Sequence, residues 1–101
     1  WTRVVEHATW APRMWFVPIV YADRLWIMGG FDNVHRANID DVWWTDDGIK
    51  WQRLDTKTKF SPRHEVTAYV YDNSLWVVAG NSWPLMNDVW KLSPSLGRDG
   101  H

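Results

Sequence analysis

The chain repeats itself, and the repeat limits its possible folds more than any single motif does. A shift of 50 positions lays Trp1 on Trp51, Arg3 on Arg53, Trp10 on Phe60 and Pro12-Arg13 on Pro62-Arg63. The register holds through Val20-Tyr21 on Val70-Tyr71, Leu25-Trp26 on Leu75-Trp76 and Gly30 on Gly80. After a gap of three, Asp41-Val42-Trp43 falls on Asp88-Val89-Trp90. A period in this range marks modular folds, in which each unit buries its apolar faces against the next.

Within one repeat the local signals predict four short strands. Residues 14–21 are rich in β-branched and aromatic side chains and end at Ala22-Asp23. Residues 25–28 follow and are closed by Gly29-Gly30, where the missing Cβ permits a sharp change of backbone direction. A polar loop over 31–40 leads to a third strand at 41–45. The turn Asp46-Asp47-Gly48 then reverses the chain into a fourth strand at 51–54. No window has helical periodicity, so the expected class is all-β.

These residues carry a resemblance. Pro12-Arg13, Leu25-Trp26-Ile27-Met28-Gly29-Gly30, Asp41-Val42-Trp43, Asp47-Gly48 and Trp51 together resemble the kelch-repeat β-propeller family, across nearly the whole chain. The second copy departs from the pattern with Ala79-Gly80 in place of two glycines. The segment from Thr45 to Trp51 also resembles the Asp-box of sialidases, one residue short, and either motif marks a turn. The spacing is closer to bacterial kelch proteins than to animal adaptors, which favours a periplasmic or secreted location.

The resemblance implies two four-stranded blades. Residues 12–54 are blade one and 62–92 are blade two without its outer strand. Residues 1–6 are an orphan outer strand of a preceding blade, and 93–101 are a terminal loop. It also accounts for the 10 Trp, because radial blades bury large side chains on both sheet faces. Trp26, Trp76, Trp43, Trp90, Trp1 and Trp51 recur in register and are assigned to packing between blades. Propellers typically have about 4–8 blades, so two blades imply either a piece of a longer ring or several copies closing one head to tail. The expected partners are therefore other blades, of the same polypeptide or of further copies.

Antiparallel wiring gathers the long, polar loops on one face, where binding usually resides on a rigid scaffold. The candidate ligand-binding residues there are Arg13, Trp15, Asn33, His35, Arg36, Arg63, His64, Glu65, Asn81 and Trp83. Arg13 and Arg63 hold equivalent positions. In kelch proteins similar to this one, arginines here ring the central opening and capture carboxylates bidentately. The alternative is that each pairs with an Asp of a neighbouring loop. Trp15 and Trp83 lack an aromatic counterpart (Glu65 and Asn33 stand there) and are candidates for stacking on a ligand. His64-Glu65 beside Arg63 offers an acid–base pair.

Composition removes several classes. A net charge of -1 supplies no basic surface for nucleic acid or lipid. The longest apolar runs fall far short of the ~20 residues of a membrane helix. Without cysteine there are no disulfides or thiolate metal sites, and the histidines lack metal-ligand spacing, so no metal or cofactor is expected. The missing cysteine also excludes the copper chemistry of galactose oxidase, which shares the fold and needs a Cys-modified Tyr. Three functions remain. The first is a binding module for a carbohydrate or acidic ligand on the loop face. The second is part of a sugar-acting enzyme of the sialic acid mutarotase or oxidase-like kind. The third is a purely structural interaction scaffold.

Overall fold

A computed structural model describes residues 1–94. Among them every regular element is a strand. Among the described residues no helix is long and apolar enough to cross a membrane. In the first repeat β1 (Val17–Tyr21) pairs with β2 (Arg24–Met28), β2 with β5 (Val42–Thr45) and β5 with β6 (Gln52–Arg53), all antiparallel. A separate small hairpin joins β3 (Phe31–Asp32) to β4 (Ala37–Asn38). In the second repeat β7 (Thr67–Tyr71), β8 (Ser74–Asn81) and β9 (Leu85–Leu92) form a three-stranded antiparallel sheet.

The turns show how the sequence dictates these pairings. Both first hairpins have two-residue loops, Ala22-Asp23 and Asp72-Asn73, with all four φ values between 53° and 59°. Positive φ at both central residues matches the twist of the flanking strands, and Asp and Asn tolerate it better than most side chains. At the β5–β6 turn Asp47 accepts the backbone N–H groups of Ile49 (2.8 Å) and Lys50 (3.0 Å), and the Thr45 hydroxyl accepts those of Asp47 (3.2 Å) and Gly48 (2.9 Å). This pairs β5 with β6 as the Asp-Asp-Gly turn predicts.

Several expectations need correction. The strand expected over 14–21 starts only at Val17, because Trp15 adopts φ 57° and breaks the extended path; Met14 instead bridges to Phe31. The loop expected over 31–40 contains the β3–β4 hairpin, organised by Asp32, whose carboxylate accepts the N–H groups of Val34 and His35. The second repeat merges the equivalent hairpin into its sheet, as Gly80 and Asn81 pair with Met86 and Leu85 beyond a register shift after Val78. Residues 1–6, expected as the outer strand of a preceding blade, pair with no strand among the described residues, and β6 occupies the outer edge of β5. Of the expected loop over 93–101, the part beyond Pro94 lies outside the described residues.

The two sheets come nearest along β1 and β7. Farther out the gap between them is filled from the connecting segment, where Phe60 is buried against Met28, Val42, Leu75 and Val77. Trp26 lies in this core, 4% exposed, its indole N–H donating to the Tyr21 carbonyl at 2.9 Å. Trp76 makes the same bond to Tyr71 (2.8 Å) but is only half-buried. Trp43, Trp51 and Trp90 are half-buried too, and Trp1 is fully exposed. Of the six recurring tryptophans, therefore, only Trp26 is enclosed in the core.

Gly30 (φ 114°) and Gly80 (φ 122°) hold one role in the two repeats. A Cβ at 30 would sit 2.9 Å from the Met14 carbonyl oxygen and 3.0 Å from the Phe16 Cβ. Gly30→Ala is therefore expected to cost about 2 kcal/mol or more in urea unfolding. At the preceding position the first repeat has Gly29 (φ 67°), and the second has Ala79 at φ 59°. Ala79→Gly relieves left-handed strain and adds chain entropy to the unfolded state, for a net gain of about 0.5 kcal/mol in the same assay.

Candidate functional site

The loop face is held up by an ion pair that occurs twice, each time on a buried arginine. The side chains of Arg13 and Arg63 are 0% exposed. Arg13 binds both carboxylate oxygens of Asp41, with Nη2 donating to Oδ2 at 3.1 Å, and its Nη1 also donates to the Gly29 carbonyl at 3.2 Å. Arg63 does the same with Asp88 (Nη2 to Oδ2, 3.0 Å) and the Ala79 carbonyl (3.2 Å). Each carboxylate also accepts an indole N–H two residues on, from Trp43 and Trp90, both at 2.9 Å. With Nε donating to the Ala11 carbonyl in Arg13 and to the Ser61 carbonyl in Arg63, both at 3.0 Å, each guanidinium nitrogen meets an acceptor inside the chain, which is what keeps a buried charge tolerable. Of the two sequence alternatives, the structure shows the pairing with Asp. Both arginine side chains are enclosed and engaged.

The cluster above this frame spans the two repeats. His64 is buried; its Nδ1 donates to Asn38 Oδ1 at 2.6 Å, and its Nε2 lies 3.4 Å from Glu65 Oε1. The Trp15 ring lies over it at 5.0 Å between centroids, and Phe31 touches both, at 5.7 Å from each. The backbone fixes these positions: Glu65 N–H donates to the Trp15 carbonyl (2.8 Å), and His64 and Asn81 exchange N–H···O bonds at 3.0 and 2.8 Å. Trp15 and Glu65, equivalent in the repeat, share the left-handed conformation at φ 57° and 55°. A left-handed non-glycine residue is costly unless its surroundings hold it there. The result is a Trp ring 48% exposed on a rigid seat, with the exposed Glu65 carboxylate at its side.

The remaining candidates surround this cluster. Asn81 accepts the Trp83 N–H on its side-chain oxygen (3.0 Å), and Trp83 is 77% exposed. His35 is exposed and bonded through Nδ1 to Asp32 at 2.7 Å; this side-chain bond and the backbone bond from His35 hold the Asp32 carboxyl below its ordinary pKa. Asn33 and Arg36 are exposed on the same hairpin. Sequence reasoning missed Asn38 and Phe31, which sit in a stretch read as polar loop. The signal available for them was only their place after the Gly-Gly pair. Among the described residues no group of three or more His, Asp or Glu is placed to hold a metal ion.

A cleft between the sheets is lined by Leu54, Phe60, Leu75, Trp90 and Leu92, with Lys59 and Lys91 beside them. It lies on the outer side of the sheets, where Phe60 enters, and none of the ten candidate residues lines it.

Electrostatics make the frame sensitive to acid. Burial pushes the Asp41 carboxyl up, but the hydrogen bonds from Arg13 and Trp43 and the Arg13 charge outweigh it, and the group stays below its ordinary pKa. Arg63, then Trp90, holds Asp88 well below that range. Carboxyls depressed in the folded state bind fewer protons than in the unfolded chain, so they add stability above about pH 4 that is lost as the pH falls through their folded values. The urea midpoint should therefore drop between about pH 5 and pH 2. Asp41→Asn should lower stability at neutral pH and flatten that acid limb. Arg13→Met, which strands the Asp41 carboxylate, should cost about 3 kcal/mol at neutral pH.

No protein-family model matches the chain, and neither does any curated protein.

Proposed function

We propose that the chain is two kelch-type propeller blades whose loop face binds neutral carbohydrate, with Trp15 as the stacking platform. The observation that carries this reading is the combination at Trp15. A large aromatic ring is kept half-exposed by His64 and Phe31 beneath it, with the Glu65 acceptor alongside. Binding sites of this kind join an apolar surface to a few fixed polar groups. A sugar offers the matching chemistry, since its C–H face covers the indole and its hydroxyls donate to a carboxylate or amide. The blade assignment is supported by the repeat, by the four-stranded first sheet, and by the approach of the two sheets along β1 and β7.

The engaged arginines weigh against the acidic-ligand version. A ligand carboxylate would have to displace Asp41 or Asp88 from a buried bidentate bond. Proton transfer by His64 and Glu65 has less support than binding, because His64 is enclosed and its Nδ1 is committed to Asn38.

The test is a screen of neutral and acidic glycans, followed by titration calorimetry on Trp15→Ala and Trp83→Ala. The chain is expected to bind neutral glycans. Trp15→Ala should weaken binding at least about tenfold, worth about 1.4 kcal/mol, with a cooperative melt retained. No binding to any neutral glycan, a preference for acidic ones, or undiminished binding by Trp15→Ala would reject the proposal.

A further inference from the structure

Where the two repeats meet, inside the chain, two positions are polar without a packing reason. His64 is 2% exposed, and its place in the first repeat is held by Met14: Met14 bridges to Phe31 as His64 bridges to Asn81. Asn38 lies opposite Phe31 in the β3–β4 hairpin, and the residue opposite Asn81 in the second repeat is Leu85. A methionine and a leucine thus serve at the same points of the backbone, so the repeat needs neither polar group there. Placing polar groups in a packed position costs desolvation that apolar ones avoid. The pair therefore calls for a reason outside the fold.

The heavy atoms dictate where the hydrogens are. The Asn81 carbonyl can only accept, so the Asn38 atom facing it at 3.5 Å is the amide nitrogen. That turns the Asn38 oxygen toward His64 Nδ1 at 2.6 Å, and the ring nitrogen there must carry a hydrogen. Enclosed against the Trp15 and Phe31 rings, the imidazole is least costly uncharged, with one hydrogen only. Nε2 is then bare. It faces Glu65 Oε1 at 3.4 Å, and two acceptors have no hydrogen to share. Backbone bonds just outside the Phe31–Asn38 pair hold the hairpin in place: Gly30 N–H donates to the Arg63 carbonyl (2.9 Å), and Arg63 N–H donates to the Ile39 carbonyl (3.2 Å).

We infer that Asn38 is a positioning residue, which through the His64 tautomer keeps the Glu65 carboxylate free to accept from a bound hydroxyl. In the other tautomer His64 would donate its Nε2–H to Glu65 and occupy the acceptor beside Trp15. The arrangement also sets a specificity. Beside the exposed indole a ligand meets a carboxylate and a bare ring nitrogen close together, so an O–H donor is held there, while a ligand carboxylate or ether oxygen is not. The control of Glu65 by Asn38 stands on the geometry alone, and the engagement of Glu65 by a hydroxyl rests on the carbohydrate reading.

The first measurement needs no ligand. Long-range proton–nitrogen NMR of the isotopically labelled chain at neutral pH reads the tautomer of each histidine. His64 is identified by its loss in His64→Met, which installs the residue of the equivalent position. The unmodified chain should show His64 protonated on Nδ1 only. Asn38→Leu, which matches Leu85, should show it protonated on Nε2 while still melting cooperatively. A ring that carries Nε2–H in the unmodified chain, alone or with Nδ1–H, overturns the inference whether or not the variant folds. So does an Nδ1–H ring that persists in folded Asn38→Leu. The second measurement is calorimetry with the neutral glycan that binds tightest in the screen. Asn38→Leu should weaken its binding at least about threefold, and no further in a Glu65→Ala background, because it acts through Glu65. An equal loss in both backgrounds, or none in either, overturns the inference. If no glycan binds while His64 carries Nδ1–H, the carbohydrate reading fails and the control of Glu65 by Asn38 is retained.

Discussion

Each repeat hangs on one guanidinium. Arg13 reaches from the start of its repeat to Asp41, just before β5, and to the Gly29 carbonyl just after β2; Arg63 makes the same bonds to Asp88 within β9 and to the Ala79 carbonyl within β8. Three segments far apart in sequence are thus fixed to one planar group, and the Trp two residues past the Asp is oriented by the same carboxylate. A lysine has a single compact charge and no fork, so it would not span this set. Because both guanidinium groups are enclosed, losing the carboxylate leaves a buried charge uncompensated. The loop face inherits its rigidity from this frame: the residue after each arginine bridges to the strand or hairpin that leaves the glycine turn, Met14 to Phe31 and His64 to Asn81.

Much of the fold was legible because it depends on local chemistry. The Ala22-Asp23, Asp72-Asn73 and Asp46-Asp47-Gly48 turns declare themselves through residues that suit their backbone, and the all-β class follows from period and strand propensity. What was not legible depends on long-range context. Trp15 is a poor residue for a left-handed position, and only the bond from Glu65 across the repeat boundary explains it. The β3–β4 hairpin has two-residue strands without a hydrophobic alternation to reveal them. At the candidate site the register drew attention to Arg13 and Arg63, yet equal positions in two repeats suit both a shared ligand and two separate ion pairs. Only burial separates those cases. Asn38 was invisible because its role exists only beside His64.

Differences between the repeats are as informative as the matches. Trp44 covers Trp26 in the first sheet, and its counterpart Lys91 lies over Trp76 in the second. A lysine can lay its methylene stem on an indole while its charge stays in water. That accounts for how Trp76 remains partly covered on a face that its own chain leaves open. Backbone conformation is kept more strictly than residue type: positions 15 and 65, 22 and 72, 23 and 73, 29 and 79, and 30 and 80 all have positive φ, although only the last pair matches in residue.

The sheets meet at β1 and β7, and farther out Phe60 from the connecting segment stands between them, against Met28 and Val42 of one and Leu75 and Val77 of the other. A residue that belongs to neither sheet is therefore their spacer. Trimming it would leave a void bordered by both sheets at once, so the damage would fall on the docking of the two repeats before it reached the hydrogen bonds within either one.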